Sequence, residues 1–190
     1  MFLINDLIAL LAANLILTQA LGTSTLFIAA GNRKNLVWTA CTITVFTTLG
    51  SIAAYITDRN LPEKYSDYSL LIYTLSVGIL YVILLSALYF ISRDNFAKTR
   101  KYIHVSAFNC AVMGTLFTIS RKASDDSSLM NILSYIRAGF EAGIGFILAA
   151  VILTAAYRKL NSSKVPASFR GFPAMLIYLG IISMAVYALK

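Results

Sequence analysis

The chain has 190 residues, of which 58% are hydrophobic and only 13% charged, against a charged share of roughly 25% in soluble domains. Its mean hydropathy is +0.75. That leaves room for about six membrane helices of ~20 residues and excludes both a soluble globule and a large extramembrane domain. The formal net charge of +8 would suggest nucleic acid on a soluble chain. Between apolar runs it marks cytoplasmic loops instead, so lipid is the expected surrounding and nucleic acid is not an expected partner.

Apolar segments fall at about 2–30, 36–57, 69–92, 102–119, 129–157 and 172–189. Open strands cannot cross lipid with unpaired backbone groups, and no barrel-like alternation is present, so each segment is read as a helix. The start, Met1-Phe2-Leu3-Ile4-Asn5-Asp6, lacks the basic region of a cleavable signal, so the first segment is expected in the mature protein. That segment is longer than one crossing needs and is interrupted at Gly22-Thr23-Ser24-Thr25. A break at Gly22 would hold Ser24 inside the membrane, whereas a straight helix rising about 1.5 Å per residue would have crossed before it. A tilted helix with a cytoplasmic tail is the other reading.

The second span carries Cys41 and the fourth carries Cys110. Both thiols lie in apolar segments, which argues against a disulfide framework. The fourth span is short and polar at its centre, Phe108-Asn109-Cys110-Ala111-Val112-Met113-Gly114, a composition that also suits simple helix packing. His104, the only histidine, is read as interfacial, since no second ligand has metal-site spacing. The fifth span holds Arg137 and Glu141 one helical turn apart. They form either a neutralising ion pair or part of a cation path. Trp38, Tyr65, Tyr68, Tyr73, Tyr89 and Tyr102 lie near span ends, as interfacial aromatics do.

Orientation follows from the loops. The first, third and fifth hold Arg33, Lys34, Arg93, Lys98, Arg100, Lys101, Arg158, Lys159, Lys164 and Arg170. The second and fourth hold Arg59, Lys64, Arg121 and Lys122, balanced by Asp58, Glu63, Asp67, Asp125 and Asp126. The odd loops are therefore expected in the cytoplasm and both termini outside. Three spans per half make any internal repeat inverted, and folds of that kind place their sites near the midplane on discontinuous helices. The expected fold is an all-α integral membrane protein, residues 1–190 forming a single six-span domain. Its spans would form two inverted three-helix repeats, with broken half-helices in spans 1 and 4.

Four stretches carry a family resemblance. Asn14-Leu15-Ile16-Leu17 followed by Leu21-Gly22 and a loop with Arg33-Lys34 resembles Asn-Asn-x-Val-Leu, Leu-Gly-x-Cys-Pro and a Lys-Lys loop. Asn109-Cys110-Ala111-Val112-Met113-Gly114 resembles Thr-Asn-Cys-Ala-Val-Leu-Gly. Gly139-Phe140-Glu141-Ala142-Gly143-Ile144-Gly145-Phe146 resembles Gly-Phe-x-x-x-x-Gly-Phe, and Val165-Pro166-Ala167-Ser168-Phe169-Arg170-Gly171 resembles a signature of the last cytoplasmic loop. In this order and spacing they are similar to the RnfA membrane subunit of the Rnf electron-transport complex and to the NqrE membrane subunit of the sodium-pumping NADH:quinone reductase.

The resemblance implies a subunit of a redox-driven Na⁺ or H⁺ pump in a bacterial or archaeal cytoplasmic membrane. Such a subunit works with a homologous inverted membrane subunit and with further subunits carrying flavin and iron–sulfur centres. Each of the two homologous subunits supplies two cysteines from broken helices to one shared [2Fe–2S] cluster. Carried onto this chain, the site comprises Cys110 as the metal ligand, with Gly22, Asn109, Gly114 and Ser24 around it. Ser24 and Thr25 stand where the family has Cys-Pro. A serine oxygen is a harder ligand than the thiolate that iron–sulfur iron takes. Either Ser24 is an unusual ligand, or Cys41 serves, or the subunit is structural or ion-conducting without a cluster. A small inverted-repeat transporter without redox chemistry is the reading from another class. The chain has no phosphate loop and no Ser/His/Asp set, and it lacks the threonine-bearing motif that carries covalent flavin, which assigns nucleotide and flavin to partners.

Overall fold

A computed structural model describes residues 14–30, 33–61, 65, 68–91, 93, 96–126 and 130–188. The regular structure there is helical: α1 Leu15–Gln19, α2 Thr23–Ala30, α3 Arg33–Asn60, α4 Ser69–Ile91, α5 Phe96–Ala107, α6 Cys110–Asp125, α7 Ile132–Leu160 and α8 Phe172–Tyr187. Among the described residues, three helices are long and apolar enough to cross a membrane: α3 over Asn35–Asn60, α4, and α7 over Ile132–Tyr157. The pair α5 and α6 passes the same test as one element bent by 43°, and α8 is a shorter apolar helix. The described residues are thus all-helical, with several membrane-length apolar elements. Residues 2–13 of the expected first span and Glu63, Lys64 and Asp67 of the second loop lie outside the described residues.

The centre is the antiparallel contact of α3 with α7, the most extensive in the fold, and small residues make it possible. A Cβ on Gly139 would lie 2.6 Å from the Thr47 carbonyl oxygen, and one on Gly143 would lie 2.9 Å from Thr44 Cα. Only hydrogen fits at these two positions. Thr44, Thr47, Thr48 and Ser51 of α3 return their hydroxyls to carbonyls in their own helix, so the polar seam is self-satisfied where water is absent. Close backbone approach through small residues is how helices associate in lipid, where apolar side chains gain little by leaving acyl chains. Phe46, Tyr135, Phe146 and Leu153 fill the remaining buried volume.

The other helices wrap this pair. Only Tyr73 and Val77 of α4 are buried, while Leu71, Leu75, Phe90 and Ile91 stand exposed. A helix apolar on all sides and covered on so little of its surface suits a lipid contact. α5 returns to the start of α3, where the Tyr102 hydroxyl donates to Asn35 Oδ1 at 2.6 Å and Trp38 stacks on Tyr102. Gly171, at φ +86°, turns the chain into α8, with Pro173 in that helix's first turn, where a missing N–H costs no helical hydrogen bond.

Candidate functional site

Two helix breaks meet beside the α3–α7 centre. The first separates α1 from α2. Asn14 Oδ1 accepts from the Ile16 N–H at 3.0 Å, starting α1, and Asn14 Nδ2 donates to the Gly145 carbonyl of α7 at 2.6 Å. The chain then leaves helical geometry through Ala20 at φ +56° and Gly22 at φ +80°, and α2 starts at Thr23. The second break lies between α5 and α6 at Phe108-Asn109. There Asn109 Oδ1 accepts from the Ala111 N–H at 2.9 Å, the side-chain-to-backbone bond of a helix N-cap.

The two breaks touch through sulfur. The Gly22 N–H donates to Cys110 Sγ at 3.0 Å. Gly22 is held there twice over, by its left-handed backbone and by space. A Cβ would lie 2.8 Å from Ala111 Cβ, 3.1 Å from Asn109 Oδ1 and 3.3 Å from Phe146 Cε2. Gly114 serves the same junction one turn along α6, where Leu21 packs against its Cα. The stretches singled out in the sequence around Asn14, Gly22, Asn109-Cys110 and Gly145-Phe146 thus form one site. The fourth, Val165 to Gly171, does not join it. It folds as an exposed loop in which Arg170 donates to the Val165 carbonyl at 3.0 Å.

Cys110 is the first residue of α6 and remains exposed despite its bond to Gly22. The sulfur thus stands at the open N-terminal end of a helix, where the first backbone N–H groups have no partner within the helix, and it accepts one N–H from the other break. Ser24 is likewise exposed. Just before Cys110 in the chain, Asn109 Nδ2 and Ser106 Oγ are buried without a hydrogen-bond partner, the two such side-chain atoms among the described residues. No group of three or more His, Cys, Asp or Glu comes together among the described residues. The junction itself offers one thiol and a backbone N–H donor to it, so a metal cluster placed there would need most of its ligands from another chain. Cys41 is the second free thiol and is exposed on α3.

Two sequence candidates resolve into surface contacts. Arg137 Nε and Glu141 Oε1 pair at 2.7 Å, with side chains 79% and 49% exposed. His104 is also exposed. Its Nε2 accepts from Arg100 Nε at 2.8 Å, which leaves Nδ1 to face the Tyr81 hydroxyl.

A further cluster escapes sequence reasoning, which counts Asp58 only as a loop charge and Tyr73 only as an interfacial aromatic. Asp58, in the last turn of α3, accepts from the Tyr73 hydroxyl of α4 on Oδ1. On Oδ2 it accepts from the Tyr135 hydroxyl of α7 at 2.6 Å. Tyr73 Oη also lies 2.6 Å from Ser120 Oγ of α6. The available signal is local: an acid at a helix C-terminus has the wrong sign for the helix dipole.

The whole chain is similar to known membrane proteins. A family model described as "Rnf-Nqr subunit, membrane protein" matches residues 5–190. The RnfA subunit of the ion-translocating oxidoreductase complex of Alcanivorax borkumensis is 27% identical over 184 residues, covering 93% of this chain and 90% of that protein. Its namesake from Shewanella loihica is 25% identical over 179 residues, 92% of this chain and 89% of its own length. The NqrE subunit of the Na⁺-translocating NADH-quinone reductase of Hahella chejuensis is 33% identical over 84 residues, 44% of this chain and 38% of that one.

Proposed function

Since the chain belongs to the Rnf-Nqr family of membrane subunits, we propose that it is the membrane subunit of a redox-driven Na⁺ or H⁺ pump and contributes one edge of an electron-transfer site at Cys110. The observation that carries this reading is the meeting of two helix breaks through the Gly22 N–H and Cys110 Sγ at 3.0 Å, with the sulfur still exposed. Broken helices exist in membranes only where protein or a functional cavity satisfies their backbone groups. Here a freed N–H group is turned onto a thiol.

In this reading the fold is completed as six spans in two inverted three-helix repeats, with both termini outside and the broken elements in spans 1 and 4. A homologous inverted subunit covers the Cys110 face, and flavin- and iron–sulfur-bearing subunits dock at either side of a cytoplasmic membrane. Cys110 and Ser24 are this chain's ligands to a shared [2Fe–2S] cluster, which would supply a one-electron station inside a barrier about 30 Å thick. Gly22 orients the sulfur and neutralises part of its charge. Asn109 fixes the start of α6 and offers a buried N–H₂ next to it, and Gly114 lets Leu21 close the junction from behind. Hydrogen bonds to ligand sulfur are one of the means by which a protein sets such a cluster's potential. Arg137 and Glu141, exposed on α7, belong to a surface that a partner subunit or an ion path would cover.

The test is iron content and a [2Fe–2S] EPR signal in the complex purified with this subunit. Cys110→Ala is expected to remove the signal, while Ser24→Cys, which restores a soft ligand, is expected to raise occupancy. An intact signal in Cys110→Ala sinks the assignment. Copurification of this subunit with redox partners but without iron would favour the cluster-free reading, which the serine at residue 24 keeps open.

A further inference from the structure

We infer that the exposed seam between α4 and α5 holds an anionic phospholipid, its phosphate on Arg100 and the Tyr81 hydroxyl and its acyl chains along α4. The two helices run antiparallel and touch through aromatic rings. Phe96 packs edge-on against Tyr89, and further along the seam Tyr81 packs against both His104 and Phe108. Arg100, between Phe96 and His104 on α5, therefore stands beside the stretch of α4 from Tyr81 to Tyr89. That stretch is apolar, and its Val82 and Ile83 are each 57% exposed. A cation and carbon suited to lipid contact thus share one depth.

The polar groups of this seam are arranged to give hydrogen bonds. Arg100 Nε donates to His104 Nε2 at 2.8 Å. A ring nitrogen that accepts carries no hydrogen, so Nδ1 carries it and donates to the Tyr81 hydroxyl oxygen. The phenol hydrogen is then free for another acceptor, and both Nη groups of Arg100 remain for a second partner. A planar fork of N–H groups beside an O–H donor matches an oxyanion, and phosphate takes such a fork at two points. His104 is a positioning residue: it fixes the guanidinium and uses its own hydrogen on the phenol oxygen.

Charge selects the headgroup. Arg93 and Lys101 are exposed near Arg100 in the chain, Arg93 over the Tyr89 ring at 5.8 Å and Lys101 over the Tyr102 ring at 5.4 Å. Asp94 is the one acid in the first, third and fifth loops, and one carboxylate can balance only one of their cations. A zwitterionic lipid brings its own ammonium to its phosphate, whereas an anionic lipid leaves the negative charge to basic side chains. A soluble anion would satisfy Arg100 but leave Val82, Ile83 and the 56% exposed Phe108 uncovered. A phospholipid meets both needs, and the seam does not depend on what Cys110 holds.

The experiment is native mass spectrometry of the full chain in detergent, titrated with phosphatidylglycerol, with phosphatidylcholine of the same acyl chains, and with inorganic phosphate. The expected result is a phosphatidylglycerol adduct retained severalfold more strongly than phosphatidylcholine and not displaced by inorganic phosphate. Arg100→Gln should weaken that retention severalfold and Tyr81→Phe by a smaller factor. Lys164→Gln, which removes one exposed loop charge elsewhere, should leave it unchanged. Should Arg100→Gln fail to fold, Tyr81→Phe carries the test, since it keeps the ring and removes one donor. Equal retention of the two lipids overturns the proposal, as does unaltered retention in folded Arg100→Gln or in Tyr81→Phe. Equal weakening by Lys164→Gln and Arg100→Gln overturns it too, by showing a diffuse field in place of a site. Displacement by inorganic phosphate does so by showing a site for a soluble anion.

Discussion

At the scale of single residues, Gly22 is constrained both by its backbone and by its neighbours. Its backbone sits at φ +80°, where an L side chain costs roughly 1–2 kcal/mol. A Cβ there would also press on Ala111 Cβ at 2.8 Å, and overpacking of that kind adds about 1–3 kcal/mol. Gly22→Ala is therefore expected to lower the melting temperature of the purified protein clearly and to loosen the Gly22–Cys110 contact. Gly78→Ala, whose Cβ would meet nothing within 4 Å, is expected to be neutral or slightly stabilising, since the change limits the unfolded chain. Equal melting of the two variants would show that the break is not held by this contact. The sequence discloses Gly22 through its position in an overlong apolar run. It cannot disclose that Asn109, Ala111 and Phe146 converge on it, because those contacts join distant parts of the chain.

At the scale of elements, the α3–α7 contact depends on hydrogen at residues 139 and 143. Gly143→Val would drive a branched side chain into Thr44, whose Cα lies 2.9 Å from where a Cβ would stand. The expected loss is about 1–3 kcal/mol from overpacking, seen as a lower melting temperature and as faster proteolysis of the loops. Gly143→Ala should lose less, and a Gly143→Val variant as stable as the native chain would disprove the close approach. Long apolar runs make α3, α4 and α7 legible within a few residues at their ends, because lipid selects composition over a whole span. Hydropathy places the start of the fourth span at residue 102, yet its helix begins at Phe96 and continues, bent by 43°, to Asp125. Hydropathy reports contact with lipid, not helicity, and a polar turn such as Lys98 to Lys101 can be helical outside the acyl region. The Asp58 cluster is illegible for a different reason. Each of its members has an ordinary local explanation, and only the assembled helices bring the four side chains together.

At the scale of the whole molecule, the Cys110 junction lies at an exposed face of the chain. Cys41 and Cys110 are both exposed and free in the isolated chain, but they occupy different positions. Cys41 lies on a continuous helix, and Cys110 lies at a junction where a backbone N–H from another helix break meets its sulfur. Two buried polar atoms without partners, Asn109 Nδ2 and Ser106 Oγ, belong to residues next to or one turn before Cys110, and buried groups of this kind call for a physical explanation such as an ion or a water. If a homologous subunit and a shared metal complete the face, assembly must change the chemistry of one thiol and leave the other alone. The expected outcome is a contrast in alkylation by N-ethylmaleimide, followed by mass spectrometry of the two cysteine peptides. In the isolated subunit both cysteines should be modified. In the intact complex Cys110 should be protected at least tenfold relative to Cys41, and removal of iron by a chelator should return part of its reactivity. Protection that persists after iron removal assigns the cover to protein alone. Equal reactivity of Cys110 in the isolated and assembled states would mean that its face meets lipid, and the redox role of the junction would then have no physical basis.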